Sequence, residues 1–340
     1  KGDAMVYIAA GNAGDDTDED NIPDEGTLGT PATTKNGLAI GASGHPNDLG
    51  PGEANPQEAR AFFSSMGPAP GNRVAPQLMA PGQERGGMGV ASEFACRSSD
   101  NGQDGAVECD ITSGNAGTSF AAPAAAGSGA LGREWFQQGF YPDGTSGNLN
   151  NDLDKEDPSG AMVKAALLAS ADFMTSFNLT KGFRGNNEQG WGRIQLDNAL
   201  RLENWPASPV GVIVEDGLAG FGDVGGSISG GTIDATSPVT ESSTFQVCDA
   251  DQELRIALTW FETANESVLN DLHLELQSPS GIVFYGNYFT DDNDKDGTVT
   301  GEIPPEDCPE PYPGSNPNSD LDESQWSLPT CINSVHDGDP

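Results

Sequence analysis

The chain is 340 residues long, enough for two domains of about 150 residues, each with its own core. Its 52 acidic against 15 basic residues leave a formal charge of −37, and a polyanion of that size repels nucleic-acid backbones and acidic lipid surfaces. No apolar run approaches the roughly 20 residues of a bilayer-spanning helix, and no basic-then-apolar leader precedes the first strand-like segment, so a mature soluble chain is expected, with neither nucleic acid nor membrane as partner.

Three short apolar runs come first: MVYIAAG (residues 5–11), GLAIGAS (37–43) and PQLMAPG (76–82). They are continuous rather than alternating, as strands covered on both faces are, and each runs into a turn rich in glycine or proline. Helical patterns follow at about residues 118–138 and at 158–171, the second with a proline near its start, where helix entry tolerates one. Strands followed by helices in this manner predict an α/β domain built on a parallel sheet, over residues 1–204. Beyond residue 205 the pattern changes. TFQVCDA, ELRIALTWFE, DLHLELQSPSG and IVFYGNYF alternate with period two between turn residues, which predicts an antiparallel β-sandwich over residues 205–340. The glycine-rich stretch 216–231 reads as a linker or a set of tight turns.

The segment GTSFAAPAAAG carries chemistry. A serine that attacks a carbonyl must stand at a turn into a helix, where main-chain N–H groups can hold the developing oxyanion and small neighbours let a substrate approach. Gly117 supplies the turn, Ser119 the helix start, and Ala121 and Ala122 the close packing. The same serine could be a plain helix N-cap. In YIAAGNAG, Asn12 follows a buried strand between glycines, where its amide could donate to the same oxyanion, although Asn in such a turn is often only a turn residue.

With these segments in view, the chain resembles the subtilisin-like serine proteases. GTSFAAPAAAG is similar to the family's nucleophile motif and AAGNAG to its oxyanion-asparagine turn. AFFSSMGPAPGNRVAPQLMAPG resembles the family's F-S-S-x-G-P segment and the strand after it, and PSGAMVKAALLASA and NEQGWGRIQLDNAL resemble the closing helix and G-x-G stretch. The likeness runs from residue 5 to about residue 200. It implies a peptide-bond hydrolase with protein or peptide substrates, an acyl-enzyme on Ser119, and an oxyanion hole from Asn12 and the Ser119 main-chain N–H. It further implies that Ala9, Ala10 and Gly11 line the substrate channel. NDLHLELQSPSGIVFYGN resembles strands of the jelly-roll domain of proprotein convertases and large alkaline relatives.

Departures from the family pattern are as informative. The catalytic Asp and His should precede the oxyanion asparagine, but no histidine and no Asp-Ser-Gly or Asp-Thr-Gly occurs before Asn12. The three histidines, His45, His273 and His336, lack the family's His-Gly-Thr context and read as surface residues. The expectation is therefore that both groups lie upstream, in an N-terminal portion that acts as partner to this chain, and that the chain alone hydrolyses peptides poorly. The alternative is a non-catalytic, calcium-binding surface or matrix protein on a degenerate protease fold. Ala75, Pro76 and Gln77 also replace the Lys-Pro-Asp that commonly leads into the third strand.

Two acidic ladders point to calcium, whose hard oxygen ligands suit carboxylates at alternate positions. The first is Asp16, Asp18, Asp20 and Asp24, in a segment that resembles thrombospondin-type calcium repeats; the second is Asp292, Asp294 and Asp296 before a glycine. A solvated acidic loop is the plainer reading of both, and residues 148–157 form a weaker third case. Five cysteines occur, of which Cys96 with Cys109 and Cys308 with Cys331 are close enough in sequence to close modest loops, leaving Cys248 over. Acidity, abundant glycine and scarce lysine favour an exported protein in which such bridges persist.

Overall fold

The computed structural model describes residues 4–14, 24–44, 58–71, 73–83, 116–142, 144–145, 158–175, 179, 184–203, 212–214, 244–247, 254–260, 274–279 and 283–285. The chain forms two compact units. One comprises Tyr7–Ala126, Asp172–Ile194 and Glu262–Pro340, the other Lys1–Val6, Gly127–Ala171 and Gln195–Phe261.

The first unit is organised by a parallel sheet of β1 (Tyr7–Ala9), β2 (Leu38–Ser43) and β3 (Leu78–Pro81), in that spatial order. Ile8 lies opposite Ala39, Ile40 opposite Leu78, and Ala42 opposite Ala80. All six residues of β2 are buried, which is why its sequence runs apolar without alternation: a central parallel strand is covered on both faces. On one face Ala39 packs with Ala32, Ala69 and Ala75, flanked by Ile8 and Leu28. Met79 packs with Met174 and Leu179. The GWG stretch then runs beside β3, where Met79 N–H donates to Gly192 O (2.8 Å) and Ile194 N–H to Met79 O (3.0 Å).

Gln77, one of the residues that depart from the family pattern, is buried at the entry to β3. Its Oε1 accepts from Ala39 N–H (2.7 Å) and its Nε2 donates to Val74 O (3.0 Å). Both ends of the amide are thus satisfied inside the protein, as a buried polar side chain requires. The departure leaves a well-bonded contact between β2 and the approach to β3.

Two long helices stand where the sequence predicts them, α1 at Thr118–Gln137 and α2 at Gly160–Ser170. In the second unit, Trp135 and Phe136 of α1 cluster with Met162 of α2 and with Leu200. The two rings meet edge to face at 4.8 Å, and Trp135 Nε1 donates to Arg201 O (2.6 Å), so the one polar atom of that buried indole has a partner. α2 is capped at its N-terminus by Ser159, whose Oγ accepts from Met162 N–H (3.0 Å). At its other end the Arg255 guanidinium donates to the carbonyls of Ala169, Ser170 and Ala171, the last at 3.0 Å.

Beyond residue 205 the described residues include one antiparallel pair of strands. Strands β4 (Glu275–Gln277) and β5 (Val283–Tyr285) pair antiparallel with Leu276 opposite Phe284. Residues 254–260 keep the period-two alternation, with Leu254, Ile256 and Leu258 exposed and Arg255 and Thr259 turned toward α2, but they join no ladder among the described residues. A second sheet stacked on β4–β5, and with it the sandwich, is not among the described residues.

Candidate active site

Asn12 follows the C-terminal end of β1, and the turn before Ser119 is bonded beside the C-terminal end of β3, the edge at which ligands of parallel sheets bind. Asn12 lies just past β1, whose last turn is fixed by Ala10: its N–H donates to Ile40 O (3.0 Å) and its carbonyl accepts from Gly29 N–H (3.1 Å). Ser119 lies in the first turn of α1, whose start is tied to the end of β3 by a hydrogen bond from Gly117 N–H to Gly82 O (2.8 Å). Both residues are exposed.

Thr118 joins the two. It is buried, and both its main-chain N–H and its hydroxyl donate to Asn12 Oδ1, each at 2.9 Å. Its Oγ1 also accepts from Gly11 N–H (3.1 Å). A main-chain N–H can only donate, so the amide atom facing Thr118 has to be oxygen, and the donor end, Nδ2, faces the other way. Thr118 N–H is one of the orphan donors at a helix start, and a side chain 106 residues away satisfies it.

Gly117 completes the geometry with φ +155°. The position a Cβ would take there lies 3.5 Å from Asn12 Nδ2 and 3.7 Å from Ser119 N, with Phe120 Cδ2 at 3.8 Å. Two N–H donors thus flank one small space, kept open because residue 117 has no side chain. Pro123 sits inside α1 and has no N–H to give the Ser119 carbonyl. The helix dipole adds a partial positive charge at this end, and the surroundings suit a small anion or a carbonyl oxygen gaining charge. Ala121 and Ala122 are buried.

Of the three residues expected along a substrate channel, Ala9 is half-buried and Ala10 fully buried. Gly11 is half-buried, and its N–H and carbonyl are both engaged, by Thr118 and by Ser65. His45, His273 and His336, Asp16, Asp18, Asp20, Asp292, Asp294 and Asp296, and all five cysteines lie outside the described residues. Asp24 is half-buried, and its carbonyl accepts from Thr27 Oγ1 (3.4 Å). Among the described residues no three His, Cys, Asp or Glu side chains gather as a metal site would require.

Two residues of this site carried no role in the sequence reading. Thr118 had a signal, since it stands between the turn glycine and the serine, but only the fold reveals that it reaches Asn12. Ser65 had none beyond its place in FSSMGP, because its contacts with the Asn12 turn join segments 52 residues apart.

A family model described as the subtilase family matches residues 1–192. Among curated proteins, the serine protease/ABC transporter B family protein tagD of Dictyostelium discoideum is 28% identical over 161 residues, 43% of this chain. The tagB protein of the same organism is 27% identical over 168 residues, again 43% of this chain. The alignments span 8% of the length of either relative. Among solved structures, that of the prenylagaramide maturation protease PagA is 20% identical and overlaps 58% of this chain and 50% of its own at a TM-score of 0.34.

Proposed function

The chain belongs to the subtilase family, and from that premise we propose that it is the nucleophile-bearing part of an exported serine endopeptidase. Ser119 Oγ attacks the carbonyl carbon of a peptide bond, its proton passing to a general base, a histidine by the family pattern. As the carbon becomes tetrahedral the carbonyl oxygen turns anionic and accepts from Asn12 Nδ2 and Ser119 N–H. The amine then leaves with a proton from the same base, and water releases the acyl group from Ser119.

The observation that carries this reading is the Thr118 bridge. By taking Asn12 Oδ1 with two donors, it leaves the amide's own donors for a substrate oxygen, beside a helix-start N–H and an exposed serine. Export is supported by composition, and among the described residues no helix is long and apolar enough to cross a membrane. The test is a fluorophosphonate probe, which forms a covalent adduct with an activated serine. Labelling of the full-length protein, abolished in Ser119→Ala, is expected. Equal labelling of the two proteins overturns the reading in favour of a non-catalytic scaffold on a protease fold.

A further inference from the structure

We propose that Ser65 is a positioning residue for the Asn12 amide; the inference rests on the oxyanion role given to Asn12 above. Ser65 is fully buried, and it holds the peptide groups on both sides of Asn12. Its N–H donates to Gly11 O (3.0 Å), and its Oγ accepts from Ala13 N–H (3.0 Å). One side chain and one main-chain group of a distant segment therefore fix the two dihedrals about which Asn12 would otherwise swing.

The approach is close enough to dictate sequence on the other side. Gly11 has φ +115°, and a Cβ there would sit 2.8 Å from Ser65 Oγ, so a side chain at residue 11 would force the clamp apart. The segment bearing Ser65 is itself tied down. Gly14 N–H donates to Phe63 O (3.0 Å), and Ser64 Oγ accepts from Ala42 N–H of β2 (2.9 Å). Arg60, buried, directs Nη1 at the carbonyls of Ala61, Phe62 and Ser64, the last at 2.5 Å. Thr118 holds the Asn12 side chain; Ser65 holds its backbone. An oxyanion donor works only when it is fixed before the charge develops, and small displacements of it are costly.

The hydroxyl's contribution to folding is smaller than its contribution to placement. Ala13 is exposed and its bond to Ser65 is only part-buried, so removing the Ser65 oxygen takes one partner from an N–H at the edge of the protein rather than in its core. Ser65→Ala in the full-length protein is expected to lower kcat for a peptide substrate about tenfold, with KM within about twofold and the melting temperature within a few degrees. In an Asn12→Ala background the same substitution should lower kcat no further, since the group it positions is gone. Ser65→Cys, of similar size and with a weaker acceptor, should fall between the two and serves also if the alanine variant folds poorly.

An equal loss in both backgrounds, or full kcat in Ser65→Ala, overturns the inference alone. Undiminished turnover in a Ser119→Ala control overturns the proteolytic reading, and this inference falls with it.

Discussion

Asn12 is held by contacts that differ in what they do for the site, and substitutions separate them. In the proposed mechanism Asn12→Ala removes one oxyanion donor, a change that generally costs about 100- to 1000-fold in kcat, a range to which a family member contributed. Thr118→Val keeps the shape and the main-chain N–H to Oδ1, but removes the hydroxyl that donates to Oδ1 and accepts from Gly11 N–H. One hydrogen bond of about 1.4 kcal/mol corresponds to tenfold in rate, so peptide hydrolysis by Thr118→Val should fall roughly tenfold in kcat with little change in KM. A rise in KM at unchanged kcat would assign Thr118 to substrate binding instead. That the Asn12 and Ser119 segments come together was legible in sequence, because glycines and small residues around them announce a close approach. Thr118 and Ser65 were not, since their meaning lies in partners 106 and 52 residues away. A linear motif names the segments that meet more readily than the distant contacts that hold them.

The same division runs through the secondary structure. β2 and β3 emerge within two residues of the apolar runs that predicted them, because a buried parallel strand leaves an unbroken apolar word in the sequence. α1 is different: Gly117, the residue before its start, has no side chain to cap it with, and Asn12 Oδ1 accepts from Thr118 N–H from the end of β1. In α2 the local signal is Ser159, one residue beyond the proline that marked the start, while the C-terminal partner, Arg255, lies 84 to 86 residues on. Each end can be tested. Ser159→Ala should cost about 1 kcal/mol of stability, the usual worth of an N-cap. Arg255→Met keeps the aliphatic stem and removes the cation from the last carbonyls, and should cost about 1 kcal/mol as well. The ends of an eleven-residue helix are roughly 16 Å apart, so the two losses should add in the double variant. Denaturant titrations of the four proteins check this, and a double-variant loss far below the sum would mean that α2 already frays when one end is released. Residues 254–260 show the limit of pattern reading. Their alternation was visible, yet period two records only that one side faces something solid, and here that side bonds carbonyls of a helix rather than a neighbouring strand.

Charge acts on the whole chain at once. A net charge of −37 makes the folded state repel itself, because folding brings carboxylates closer together than they stand in the unfolded chain. Screening relieves that repulsion: the Debye length falls from about 30 Å at 0.01 M salt to about 3 Å at 1 M. The melting temperature should therefore climb with sodium chloride across that range, most steeply at the low end. The same field gathers basic peptides near the protein, so kcat/KM for a lysine- or arginine-rich substrate should fall with salt while that for a neutral substrate stays nearly level. Calcium at the Asp16–Asp24 and Asp292–Asp296 ladders would act by binding rather than by screening. At a fixed ionic strength of about 0.5 M, where general screening is nearly complete, about 1 mM calcium should then raise the melting temperature further, and a chelator should return it. A salt-dependent rise with no added calcium step would leave the ladders as solvated acidic loops. A flat response to both would mean that the carboxylates are spaced too widely for their repulsion to weigh on folding.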